Sequence, residues 1–167
     1  MRAQATSCHL SPERDVGRGT RGRSLDAVES SNVNDAAAEQ ALHHLQVLGA
    51  TVRHAIDHVE VFPAPEHITS VRFTTDELAS VCPVTNQPDL SHVVIEYAPD
   101  ASCIESKSLK LYLWGFRDRP VFAEALAVEI AQEVMSSAQP HSVTVTLTQR
   151  PRGGIEVRAV ADLTRGD

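Results

Sequence analysis

The sequence predicts an α+β fold, an antiparallel four-stranded sheet with two helices on one face. Three observations carry this prediction. Residues 91–99 (SHVVIEYAP) and 141–149 (HSVTVTLTQ) alternate apolar and polar side chains, the period of a half-buried strand. Residues 120–139 place apolar side chains at helical spacing. From residue 67 onward the elements follow in the order β-β-α-α-β-β.

The first residues do not belong to that pattern. Arg2, Arg14, Arg18, Arg21 and Arg23 outweigh Glu13 and Asp15, and Gly17, Gly19 and Gly22 lie among them. So few apolar residues cannot offset the entropy of ordering the chain, so residues 1–34 are expected to form a disordered Arg/Gly-rich tail. Such a tail suits a dispensable extension, an RNA-touching arm or a transit-like segment. Residues 35–48 (DAAAEQALHHLQVL) are rich in helix formers and are followed by Gly49, which predicts a short helix within 35–50. The folded domain is expected over 51–167.

Within that domain, HAIDHVEVF (54–62) and ITSVRF (68–73) carry the β-branched residues of strands and are separated by Pro63 and Pro65. In 91–99, Val93, Ile95 and Tyr97 share one face and His92, Val94 and Glu96 the other. SLKLYLWGF (108–116) fits both periods. It lacks Val, Ile and Thr, and Ser106 or Ser108 is suited to cap a helix, so it is read as a helix. The next helix, 120–139, has Pro120 suited to its first turn and a stripe of Phe122, Leu126, Ile130 and Val134. Val143, Val145 and Leu147 mark a strand, Pro151, Gly153 and Gly154 a turn, and IEVRAVA (155–161) the last strand. An open four-stranded sheet with long apolar edge strands is an awkward monomer, and closure into a barrel by several subunits is expected.

Composition narrows the function. A net charge of -7 argues against non-specific nucleic-acid binding, which needs a basic surface. No apolar run reaches the roughly 18 residues of a membrane span. Three cysteines (Cys8, Cys82, Cys103) give no disulfide framework, so a reducing cytoplasm is expected. Neither a CxxC pair nor HExxH occurs, so no metal site is expected.

Three segments carry the parts of a reactive site. SVCPVTNQPD (80–89) reads as a loop bearing Cys82, with Asp89 seven residues on. A thiolate attacks an electrophilic carbon, and an acid protonates the anion that develops. ESKSLK (105–110) opens a helix with hydroxyls and two Lys, a pattern suited to phosphate. All but these two of the 15 cations are Arg, and Lys is a compact charge for a phosphate. Glu124, early in the second helix, is placed to accept paired hydrogen bonds from a guanidine-like edge.

Together with Phe122-Ala123-Glu124 and PRGGI (151–155), these segments make the chain resemble the short, single-domain QueF-type NADPH-dependent 7-cyano-7-deazaguanine reductases of the tunnelling-fold (T-fold) superfamily. The resemblance spans roughly residues 55 to 160 and rests most on ESKSLKLYLWGFR. It implies a β-β-α-α-β-β unit assembled into multi-subunit barrels with sites between subunits. It also implies Cys82 as nucleophile, forming a covalent thioimide with the nitrile, and Asp89 as proton donor. Ile104, Glu105, Ser106, Ala123 and Glu124 match substrate-binding positions. Ser106, Lys107, Ser108 and Lys110 match the segment facing the phosphates of NADPH. The family usually has His where this chain has Ala123. Related alternatives are a QueF-like amidinotransferase acting on nitrile-bearing tRNA, which lacks the ESKSLK-type motif, and a non-catalytic deazapurine- or pterin-binding module. The zinc cyclohydrolase branch would need ligands that this sequence does not assemble.

Overall fold

A computed structural model describes residues 45–47 and 49–166. The expected tail over 1–34 lies outside the described residues, as does the expected helix apart from its end. That end is a turn, closed by Ala50 N–H donating to Val47 O (3.2 Å), with Gly49 at φ 81°. The elements are β1 (Val61–Pro63), β2 (Val71–Val81), β3 (Pro88–Ala98), β4 (Ser102–Ile104), α1 (Ser106–Trp114), α2 (Ala123–Ala138), β5 (Ser142–Arg152) and β6 (Ile155–Thr164).

The main sheet runs in the order β2-β3-β5-β6, every pair antiparallel. Its register aligns apolar side chains across the strands, as in the rows Phe73, Ile95, Val145, Ala161 and Val93, Leu147, Ala159, the second continued by Thr75 of β2. That face carries the core. The opposite face holds Thr144, Thr146, Thr148 and His92. The α2 stripe of Leu126, Ile130 and Val134 is at most 1% exposed, and each such side chain contributes about 1.5–3 kcal/mol by leaving water. Phe122 departs from the expected stripe. It is the N-cap residue, in extended conformation and 55% exposed, so the helical spacing does not apply to it. Pro120 likewise lies before the helix, bridged to Val81.

The sequence shows only part of the small second sheet, β1 paired with β4. Three residues are too few to display a period. Of HAIDHVEVF only its end is strand, because that is all β4 can pair. β2 and β3 are each 11 residues long. The segment between them is thereby reduced to residues 82–87, and Asp89 falls inside β3.

Candidate functional site

Two irregularities in the sheet set the surroundings of the candidate residues Cys82 and Asp89. β2 has one extra residue between Thr75 and Leu78, opposite Val93 and Ser91 of β3. Such a bulge reverses the in-out phase of the strand beyond it. Leu78 and Ser80 therefore face the core, Ser80 opposite Asp89, and the strand ends at Val81, next to Cys82. β5 has a second bulge between Gln149 and Arg152, at Arg150-Pro151, where Pro has no N–H to offer. This one turns Arg152 onto the face of Ser91 and Asp89. The Gly153-Gly154 turn, with φ 59° and 82°, then reverses the chain, a conformation that residues without Cβ adopt without strain.

The loop 82–87 is fixed by its own backbone. Cys82 N–H donates to Gln87 O and Asn86 N–H to Cys82 O, both 2.9 Å, with Asn86 left-handed at φ 55°. On its far side Val81 exchanges backbone hydrogen bonds with Arg119 and Val121 (3.0 and 3.1 Å), tying the loop to the segment before α2.

Cys82 is half-buried. Its thiol is lowered from the ordinary range to about 7, chiefly by the Thr85 hydroxyl, then by the backbone N–H groups of Thr85 and Val84, and by Arg152. Asp89 is 4% exposed. Its Oδ1 lies 2.7 Å from Arg152 Nη2, but the angle makes no hydrogen bond, so this buried oxygen is charge-compensated without a hydrogen-bond partner. Arg152 Nη1 also donates to Gln87 Oε1 at 3.1 Å and makes a long 3.5 Å contact with Thr85 Oγ1.

The ESKSLK segment is arranged differently from the phosphate cradle expected. Glu105 is the N-cap of α1. Its Oε1 accepts from Lys107 N–H (2.8 Å) and its Oε2 from Ser108 N–H (2.7 Å), so those first-turn donors are already occupied by a carboxylate. Ser108 is fully buried. Its hydroxyl donates to Glu105 O (2.8 Å) and accepts from Glu60 N–H (2.9 Å), leaving no surface for a ligand. Ile104 is buried in the core, and its N–H donates to Tyr97 Oη at 2.8 Å. Burial pushes Tyr97 up to about 12. Lys107 Nζ donates to the carbonyls of Val47 and Ala50. Buried Glu60, a residue the sequence did not single out, accepts from Gln46 and Val47 N–H and holds the same turn.

Ser106 and Lys110 remain exposed. With Trp114 and Arg117 they edge a groove of about 590 Å³ between β2 and α1, floored by Phe73, Leu78 and Ile95. Cations beside an apolar floor fit an anionic cofactor with a flat ring. Neither Cys82 nor Asp89 lines this groove. Ala123 is buried and Glu124 exposed at the start of α2. Among the described residues no three His, Cys, Asp or Glu form a metal-holding group, and no helix is long and apolar enough to cross a membrane. The residue that the sequence reading missed here is Arg152. PRGGI carried its signal, but its reach to Asp89 depends on a bulge.

The sheet order and the two intervening helices define a tunnelling-fold unit. The chain belongs to the QueF-like protein family, whose model matches residues 88–166. It is 46% identical over 87 residues to the NADPH-dependent 7-cyano-7-deazaguanine reductase of Sinorhizobium fredii NGR234, a match covering 52% of this chain and 56% of that protein. It is 39% identical over 100 residues to the reductase of the same name from Alkalilimnicola ehrlichii, covering 60% and 78%. Among solved structures it is similar to the apo form of the archaeosine synthase QueF-Like, with TM-score 0.54 and 31% identity over 56% of this chain and 92% of that one.

Proposed function

We propose that this chain is a nitrile reductase, converting 7-cyano-7-deazaguanine to 7-aminomethyl-7-deazaguanine with NADPH in queuosine biosynthesis. The observation that carries the reading is Cys82, its thiol lowered to about 7, on a backbone-fixed loop that leads into the buried carboxylate of Asp89, with Arg152 reaching both Gln87 of that loop and Asp89. The names of its relatives support the substrate and the cofactor.

A nitrile accepts hydride poorly. The Cys82 thiolate adds to its carbon, one C–N π bond breaks, and Asp89 delivers a proton to the nitrogen, leaving a covalent thioimide. NADPH, when bound, supplies hydride. Two hydrides and one further proton complete the CH2NH2 group and return the thiolate. Ser106 and Lys110 attract the cofactor phosphates, and Lys107 joins them on release from the Val47 and Ala50 carbonyls. Glu124, free on the surface, grips the guanine-like edge, and Ala123 leaves a methyl where relatives carry an imidazole. Glu105 and Ile104 serve by shaping α1 and its approach.

One protomer separates the Cys82 centre from the groove of Ser106 and Lys110. The proposal therefore includes a homo-oligomer in which neighbouring subunits complete each site. The catalytic unit is residues 51–167, and residues 1–34 are dispensable for it.

The test mixes the protein with nitrile and NADPH and follows nicotinamide absorbance and protein mass. Two NADPH are expected per nitrile, and a Cys82 adduct that Cys82→Ala abolishes. Full activity of Cys82→Ala would sink the mechanism. The similarity to an archaeosine synthase supports a second reading, amidine formation on nitrile-bearing tRNA. Turnover with ammonia and tRNA but without NADPH would favour it.

A further inference from the structure

Arg152 has no part in the chemistry above, yet it reaches three residues of the segment that carries Cys82. Its guanidinium reaches the β3 carboxylate of Asp89 (2.7 Å), the loop residue Gln87 (3.1 Å) and the Thr85 hydroxyl (3.5 Å). The Thr85 hydroxyl is in turn the largest influence lowering the Cys82 thiol. The residue arrives from a different strand, and only because the bulge at Arg150-Pro151 turns it to this face.

We propose that Arg152 is the positioning residue of this centre, a cationic bracket that sets the Cys82 loop against Asp89 and holds the thiol in its reactive form. The assignment rests on Cys82 being the nucleophile, but not on the identity of the electrophile.

Three observations support it. Asp89 Oδ1 is buried without a hydrogen-bond partner, and the guanidinium beside it is the compensating charge. Of the five contacts a planar fork can make, three are directed at one loop and its flank, which an ammonium could not span. Other charged groups nearby are otherwise placed. Arg119, before α2, is committed to Glu129 through two bonds of 2.7 and 2.6 Å. Arg150 and Glu124 are exposed. Among the described residues, Arg152 is the cation that contacts residues 82–89.

Removing Arg152 therefore acts on the thiol twice, through the lost charge and through release of Thr85. The experiment measures alkylation of Cys82 by iodoacetamide against pH in the full chain, read at the peptide by mass spectrometry, with buried Cys103 as internal control. Wild type is expected to reach half its maximal rate at about pH 7. In Arg152→Gln the midpoint moves up by about one unit and the rate at pH 7 falls about fivefold. A loss of packing alone would raise Cys103 labelling and leave the Cys82 midpoint in place. Arg152→Met, which keeps the aliphatic stem, gives the same reading should the glutamine variant not fold. An unchanged midpoint in a folded variant overturns the proposal. If the midpoint moves but no nitrile adduct forms on wild type, the reductase reading fails while the role of Arg152 stands.

Discussion

At Cys82 the strongest influence on the thiol is the Thr85 hydroxyl, followed by the N–H groups of the same tight loop, with Arg152 after them. Hydrogen bonds to the charged form favour it, so the thiolate gains most from a neighbour three residues away that the loop holds rigidly. Thr85→Val should therefore raise the midpoint of the ultraviolet thiolate absorbance further above about 7 than Arg152→Gln does. Because the group titrates from thiol to thiolate, reactivity rises as pH rises through that midpoint and is lost below it. Equal midpoints for wild type and Thr85→Val would contradict the hydrogen-bond origin. Ala123 poses a different question at the same scale. His92 pairs with Asp76 at 2.9 Å on the sheet's other face, and His141 lies near Asp100 at the opposite end of β5, so neither replaces an imidazole beside Cys82 in one protomer. Ala123→His should preserve or raise turnover, while its burial costs about 1–3 kcal/mol of stability, seen as a lower Tm. A complete loss of turnover in a folded variant would show a pocket built on other contacts.

Among the elements, β2 and β5 flank β3, and each carries a bulge close to the site. A regular β5 would turn Pro151 toward Asp89 in place of Arg152. Inserting one alanine between Pro151 and Arg152 should turn Arg152 to the opposite face, remove the Arg152–Asp89 contact and raise the alkylation midpoint of Cys82 as Arg152→Gln does. An unchanged midpoint would mean that the bulge is incidental. Helix α1 shows how one residue serves two ends. Glu105 caps it through two first-turn N–H groups. Glu105→Ala should cost about 0.5–2 kcal/mol in chemical denaturation, and a neutral result would return that carboxylate to ligand binding alone. The helix reading of residues 108–116 holds because the apolar residues that pack, Leu109, Tyr112, Leu113 and Phe116, repeat at helical spacing.

For the whole molecule, β2 and β6 are open edges of 11 and 10 residues, each hydrogen-bonded along one side only. Unpaired edges of that length favour pairing with another chain. Light scattering should give a multiple of 18.1 kDa, with activity falling on dilution as subunits separate. Full activity in an 18.1 kDa monomer would refute the shared site. In the proposed reductase, the acidic total of -7 makes local cations the means of holding an anionic cofactor. Of the two Lys, one is exposed at the groove and one engaged with backbone carbonyls.

The sequence by itself determined the four-stranded sheet, both helices and the presence of a turn after Cys82, because apolar periodicity and turn residues act over a few positions along the chain. It also marked the family through ESKSLKLYLWGFR. Only the tertiary structure decided which of those residues are free. Ser108 and Ile104 disappear into the core and Glu105 into a cap, because burial depends on what packs against a residue from elsewhere in the chain. Arg152 became part of the Cys82 centre for the same reason: two bulges, each one residue long, set the phase of their strands, and no local pattern records the partner across the sheet.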